Sequence, residues 1–261
     1  MTIVEPTNKS VLDFEGLHLY HSDRSNCSAR VRLLLGEKEL PWVSHHLSLK
    51  EKDNVSEEYF GINPKGLVPA LVHDGVVVTE SNDILAYLEE KFPEPGFRNV
   101  SDEEQSEIDW WLKTSGEIHL PGIKTLQYFK RVAKILKKSD EEFQRYQALQ
   151  TDPELKAFHA KHGAPGSSLT QEDADEATKL MDSIFEKMEQ KLSNSDWIVG
   201  NTYTLADISW GPTYTTMTIG GFDFDRYPNI NAWYERVSAR PQFDEAFLKW
   251  IRESTWGHDK T

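Results

Sequence analysis

Two short segments in the first third of the chain carry residues whose types and spacing suit the binding of a small peptide. Gly66-Leu67-Val68-Pro69-Ala70-Leu71 contains a Val-Pro step, and Thr79-Glu80-Ser81 follows a few residues later. Proline lacks a backbone donor, so it fits the start or edge of a strand and not its centre. Val68 then offers its N–H and C=O to anything extended alongside. Glu80 and Ser81 precede the apolar run Ile84, Leu85, Tyr87, Leu88, so one of them opens a helix. The first N–H groups of a helix are unpaired and favour an anion. An open backbone edge beside a helix N-terminus fits a small peptide bearing a carboxylate.

A third segment, Ser25-Asn26-Cys27-Ser28, leads into Ala29, Val31, Leu33, Leu34 and Leu35. A helix is expected to start there, around Asn26 or Cys27. Ser25 reads either as its N-cap or as a hydroxyl donor to an anion. Cys27 is either a small buried side chain or a thiol made reactive by the helix N-terminus. Ser28 reads as structural. The pair His45-His46 does not chelate, because neighbours on a strand point to opposite faces, and no metal centre is expected. Lys130, Arg131, Lys134, Lys137 and Lys138 read as a solvated helix face, with a second reading as a guide for an anionic aromatic acid.

The elements that must position these groups follow from pattern. Leu17 to Tyr20 and Pro41 to Leu47 read as strands around the first helix. Ala70 to His73 and Val76 to Val78 flank Asp74-Gly75, the dipeptide of a tight hairpin turn. Asn82 to Lys91 is helical. Phe92-Pro93-Glu94-Pro95-Gly96 breaks the chain. Beyond it, Glu103 to Leu120 is helical, and Ala174, Ala177, Met181, Ile184, Met188 and Leu192 form a second stripe at helical spacing. Thr170 with Asp173, and Thr204 with Asp207, are spaced as capping pairs. The expected organisation is residues 1–92, a linker at 93–104, and an all-helical part at 105–261.

The 261 residues carry 29 basic and 43 acidic side chains, a net charge of −14, which argues against nucleic acid or an anionic membrane as the partner. One cysteine makes no internal disulfide and fits a reducing compartment. No apolar run reaches the length of a membrane span, and Met1 to Gly16 lacks the apolar stretch of a secretory signal. These features give the expectation of a cytosolic protein.

Taken together, strand, Val68-Pro69, strand, Glu80-Ser81 and helix resemble the glutathione site of the glutathione transferase family. The capped start at Thr204, Pro228-Asn229-Ile230, Trp233 and Arg240-Pro241 resemble its helical domain, so the likeness runs from about Leu17 to about Trp250. Ser25-Asn26-Cys27 with Arg30-Val31-Arg32 is most similar to zeta-class members, the maleylacetoacetate isomerases. The long polar stretch between Pro121 and Pro165 resembles the extension of bacterial glutathione-dependent β-etherases and tetrachlorohydroquinone dehalogenases.

The resemblance implies an α/β thioredoxin-like domain with a mixed four-stranded sheet, then an all-α domain. It implies glutathione as co-substrate, a small aromatic electrophile as acceptor, and a homodimer. Ser25 would stabilise the glutathione thiolate, with Asn26 as a second donor and Cys27 as a disulfide-exchanging group if the chemistry is reductive. Val68 would pair with the cysteinyl unit, beside a cis Pro69. Glu80 would take the ammonium of the γ-glutamyl end and Ser81 its carboxylate. Leu67 stands where relatives carry Lys or Gln, so the glycine carboxylate falls to Lys52, Lys50 or His46. Trp110, Trp111, Tyr128, Tyr214 and Met217 are the expected acceptor pocket. β-Aryl ether cleavage is the leading reaction, with dehalogenation, maleyl isomerisation and a non-catalytic binding module as rivals.

Overall fold

The computed structural model describes residues 1–162, 164 and 168–254. Pro165, the far edge of the expected extension, lies outside them. Five strands form one sheet: β1 (Thr2–Val4), β2 (Leu17–His21), β3 (Val43–His46), β4 (Ala70–His73) and β5 (Val76–Thr79). Their order is β1-β5-β4-β2-β3, with β2 and β3 parallel and the other pairs antiparallel. The expected four strands are all present. The fifth, β1, corrects the count: Thr2, Ile3 and Val4 are β-branched and pair with Thr79, Val78 and Val77 along the free edge of β5. The hairpin turns through Asp74 (φ 49°) and Gly75 (φ 77°), and a side chain at Gly75 would meet the Leu12 carbonyl at 2.5 Å.

Helix α1 (Asn26–Glu37) joins β2 to β3 and is buried nearly all round. It packs against both the helix Ser81–Lys91 and the helix Leu205–Ile219. That position explains the apolar run Ala29, Val31, Leu33, Leu34 and Leu35 through its middle, and its buried polar residues each find partners. Its two arginines reach across the domain boundary. Arg30 donates to the Ser209 carbonyl at 2.8 Å, and Arg32 to the Ala246 carbonyl at 2.7 Å. Arg240 of the helical part closes a bidentate pair on Glu37, both bonds at 2.6 Å. Lys38, buried at the end of α1, holds the proline-rich break by donating to the Phe92 and Pro95 carbonyls.

The helical part centres on Trp111, Trp210 and Trp233, each no more than 1% exposed. The helix Gln171–Leu192 buries all six residues of its expected stripe, together with Phe185. Both Thr-Asp capping boxes form. The polar extension is helical too: an irregular stretch over 119–135, then Asp140–Leu149 and Pro153–His162. No helix among the described residues is long and apolar enough to cross a membrane.

Candidate active site

A cleft of about 780 Å³ opens between the sheet-containing part and the helical part. Its floor begins at α1. Ser25 is the N-cap, its Oγ accepting the Ser28 N–H at 3.1 Å. A hydroxyl that accepts one bond still has its proton to donate, so capping and support of an anion are compatible roles for Ser25. Asn26 is buried and donates its side-chain amide to Thr213 Oγ1 at 3.4 Å.

Cys27 lies in the first turn of α1 and borders the cleft. Its Sγ is 3.7 Å from His119 Nδ1 and 4.0 Å from Arg30 Nη1. Burial pushes the thiol up, but the charges of His119 and Arg30, with hydrogen bonds from His119 and Ser81, bring it down to about 6. Arg30 is 1% exposed, and among the described residues no carboxylate pairs with it. Its other donors go to Ser81 Oγ at 3.2 Å and Thr213 Oγ1 at 2.9 Å. The buried guanidinium thus faces the thiol as its counter-charge.

His119 and Arg30 were not among the expected catalytic or binding residues. His119 opens the π-helical turn His119–Lys124, where the Ile123 N–H reaches back to the Ile118 carbonyl. Pro121 inside that turn has no N–H to give, which disrupts regular α-helical bonding. The sequence around His119 shows a proline inside a helical pattern, which marks the irregular turn but not the contact with Cys27.

The opposite wall is the Val68-Pro69 step, whose peptide bond is cis. The loop before it is fixed by Tyr59 Oη and Asn63 Nδ2, both donating to the Leu67 carbonyl, and by Asn54 Nδ2 donating to the Gly66 carbonyl. Glu80 follows β5 at φ 64°, a strained conformation for a side-chain-bearing residue, of the kind that concentrates at functional sites. Ser81 is the first residue of its helix and its hydroxyl accepts from Arg30, so it is not a side-chain cap. Glu80 pairs with Lys65 at 2.8 Å.

Of the three candidates for the glycine carboxylate, Lys52 borders the cleft, whereas Lys50 does not and His46 stacks on Trp250 away from it. Lys52 donates to both oxygens of Glu142 at 2.6 Å. His45 and His46 do lie on opposite faces: His45 stacks on His18 and Tyr20 while His46 turns to His21 and Trp250. Among the described residues no group of three or more His, Cys, Asp or Glu is arranged to hold a metal.

The expected acceptor pocket needs correction. Tyr128 borders the cleft. Trp111 is sealed in the helical core against Trp210, and Trp110 on the neighbouring face is 40% exposed under Lys187. Tyr214 stacks on Tyr234 and donates to Asn231, and Met217 is buried beside a separate smaller pocket. Their helices turn these side chains into the bundle or outward, not toward the sheet. The cleft is lined instead by Leu112, Gly116, Leu120, Ile123, Tyr128 and Ile135, residues largely spaced three to five apart along one continuous helical face.

The expected basic face also divides. Lys130 donates to the Gly221 carbonyl, Lys134 and Lys137 are exposed, Arg131 borders the cleft, and Lys138 is buried against it.

A thioredoxin-like sheet with a cis Val-Pro wall, joined through α1 to a helical bundle, defines a two-domain thiol-transferase architecture. Comparison with known proteins gives the family. Residues 19–96 match the family described as Glutathione S-transferase, N-terminal domain, and residues 151–241 match Glutathione S-transferase, C-terminal domain. Protein LigF of Sphingobium sp. (strain NBRC 103272 / SYK-6) is 32% identical over 249 residues, covering 91% of this chain and 95% of LigF. The crystal structure of beta-etherase LigF from the same strain superposes with a TM-score of 0.78 at 31% identity, covering 89% of this chain and 99% of that one. A probable maleylacetoacetate isomerase of Vibrio cholerae is 27% identical, over 88% of this chain and 94% of its own. The chain belongs to the glutathione S-transferase family and is a glutathione transferase enzyme, similar to a β-etherase.

Proposed function

We propose that the enzyme cleaves β-aryl ethers with glutathione. The glutathione sulfur, held as a thiolate at the N-terminus of α1 by the Ser25 hydroxyl, attacks the ether-bearing carbon. A carbon–sulfur bond forms, the carbon–oxygen bond breaks, and the departing aryl oxide takes a proton to leave as a phenol. The observation that carries this reading is the likeness to LigF along nearly the whole of both chains, with Ser25, Val68-Pro69, Glu80 and Ser81 meeting at one cleft. Val68 would pair with the cysteinyl backbone, Glu80 and Ser81 would hold the γ-glutamyl end, and Lys52 is the candidate for the glycine carboxylate. A homodimer belongs to the same reading.

An α-keto β-aryl ether incubated with glutathione should give the glutathionyl ketone and the free phenol in equal amounts. Ser25→Ala should keep the fold and lower turnover about tenfold to a hundredfold, the scale of one charged hydrogen bond lost. Unchanged turnover at saturating glutathione would remove Ser25 from the mechanism, and no phenol release would remove ether cleavage.

The setting of Cys27 favours one alternative, reductive chemistry. Its thiolate would attack the sulfur of a glutathionyl aromatic, forming a Cys27–glutathione disulfide while the released carbanion takes a proton. A second glutathione would then free Cys27 as glutathione disulfide leaves. Accumulation of the glutathionyl aromatic by Cys27→Ala, given a halogenated hydroquinone, would select this branch.

A further inference from the structure

The roof of the cleft holds two lysines that no carboxylate pairs with directly among the described residues. Lys124 comes from the end of the π-helical turn and Lys138 from just before the helix Asp140–Leu149, and both border the cavity. Lys138 is 6% exposed. Among the described residues neither forms an ion pair with a carboxylate. Lys124 donates to His159 Nε2 at 3.3 Å and lies 4.8 Å from the centre of the Phe158 ring. Lys138 lies 5.0 Å over the Tyr146 ring. The nearest acid, Glu142, is engaged by Lys52 through both oxygens.

An ammonium taken out of water without a paired anion is costly, most so for the buried Lys138 and less for the half-buried Lys124. Burial and repulsion by Lys138 bring Lys124 down to about 7 against the attraction of Cys27, and burial with repulsion by Lys52 brings Lys138 down to about 8 against the attraction of Glu142. Evolution of a merely structural roof would place apolar groups there, as it has at Ile135, Leu136 and Leu155 on the same walls. The pair therefore awaits a negative group brought in by a ligand, and the aromatic and aliphatic walls around it suit a ligand with an apolar body.

We propose that Lys124 and Lys138 form a carboxylate-binding subsite that selects aromatic acceptors carrying an acid group. This rests on the transferase reading of the cleft and adds the substrate class. Glutathione has carboxylates of its own, which the transferase reading assigns to Lys52 and to the helix N-terminus at Ser81. The lysines belong to the helical extension, the part of the chain that encloses the acceptor side.

The test separates binding from turnover. Calorimetry on the protein saturated with unreactive S-methylglutathione compares dinitrobenzoate with dinitrobenzamide, alike in shape and different in charge. The benzoate should bind about tenfold to a hundredfold more tightly, the range of a charged hydrogen bond. Lys138→Met and Lys124→Met should each reduce that ratio toward one, and Lys134→Met, on the exposed face, should keep it. Both methionine variants remove an ammonium that no carboxylate pairs with, so their melting temperatures should not fall, which shows that they fold. Equal binding of the two probes by the wild type would overturn the subsite. So would methionine variants that keep the benzoate preference and instead weaken glutathione. The matched chlorodinitrobenzoate and chlorodinitrobenzamide, whose chloride the thiolate displaces, then read the same ratio in kcat/KM. Benzoate preference in binding with no turnover of either would sustain the subsite and count against the transferase reading.

Discussion

At the scale of single residues, the proposed sulfur chemistry would draw on Ser25 and Cys27 at the N-terminus of α1. Ser25 caps the helix and keeps a proton to donate, while Cys27 sits one turn inside the cleft with His119 and Arg30 against its sulfur. Burial alone would raise the thiol, and the electrostatic pull of His119 and Arg30, with hydrogen bonds from His119 and Ser81, overcomes it, leaving Cys27 near 6 against an ordinary 9.0. The sign is that of a depressed acid: the thiolate dominates above about pH 6, and the linked stabilisation, complete above 9.0, is lost as pH falls through 6. Alkylation of the folded protein by iodoacetamide should therefore rise to its plateau with a midpoint near pH 6. A midpoint near 8.5, that of a free thiol, would show that His119 and Arg30 do not act on the sulfur. Ser25 could be read from the sequence because it immediately precedes an apolar helix. His119 could not, because it stands ninety-two positions from Cys27 and nothing local ties the two.

At the scale of elements, two features set the shape of the site. One is the extension, whose helix Asp140–Leu149 docks on the loops of the sheet-containing part. Its Glu142 holds Lys52, Arg145 donates to the Val55 carbonyl at 3.0 Å, and Tyr146 packs with Val55 and Phe60. The cleft is thereby enclosed by chain that lies between the two family matches. The other is the helix Leu205–Ile219, which supplies Ser209 and Thr213 to Arg30. Its start is fixed by Asp207, fully buried, which accepts from Thr204 and Ile198 N–H groups and from Trp233 Nε1 at 2.8 Å. Burial outweighs these bonds and pushes the carboxyl up to about 6. A raised carboxyl favours folding fully below its unfolded value of 3.8, and that advantage is lost as pH climbs through about 6. The loss should be on the order of 3 kcal/mol, since each tenfold change in proton affinity is worth about 1.36 kcal/mol. Asp207→Asn should be less stable overall, by about 1–3 kcal/mol for the Thr204 N–H that faces its amide. It should also lack this pH dependence. Urea titrations at pH 4 and pH 6.5 check it, and parallel slopes for the two proteins would refute the titration of Asp207.

At the scale of the molecule, α1 belongs to both halves at once. Its apolar faces pack on the sheet and on the helical bundle, and Arg30, Arg32 and the Glu37–Arg240 pair cross the boundary. Neither half can open without exposing that helix. Unfolding should accordingly be a single cooperative transition. Tryptophan fluorescence reports mainly the helical bundle, through Trp111, Trp210 and Trp233, and hydrogen exchange of β2 and β4 reports the sheet. The two denaturant curves should coincide, and separated midpoints would show that α1 can leave one partner while keeping the other.

What the sequence determined by itself is what local physics encodes. Alternation and β-branching set the strands, Asp74-Gly75 set the hairpin, a Thr-x-x-Asp spacing set two helix starts, and the Val-Pro and Glu-Ser steps marked one wall of the cleft. Each depends on residues a few positions apart, so each survives without knowledge of the fold. Even β1 had a local signal in Thr2-Ile3-Val4, but a three-residue strand is stable only where a partner edge is exposed to it, and β5 supplied that edge. The acceptor side was decided by tertiary structure. Trp111, Tyr214 and Met217 are aromatic or sulfur-bearing residues on helices, and nothing along the chain says whether such a face meets the bundle core or the cleft. Helix packing turned them inward and turned Leu112 through Ile135 toward the sheet. The same packing brought His119 to Cys27 and set Lys124 and Lys138 on the cleft wall, because charge and distance across a cavity are properties of facing elements and not of either one.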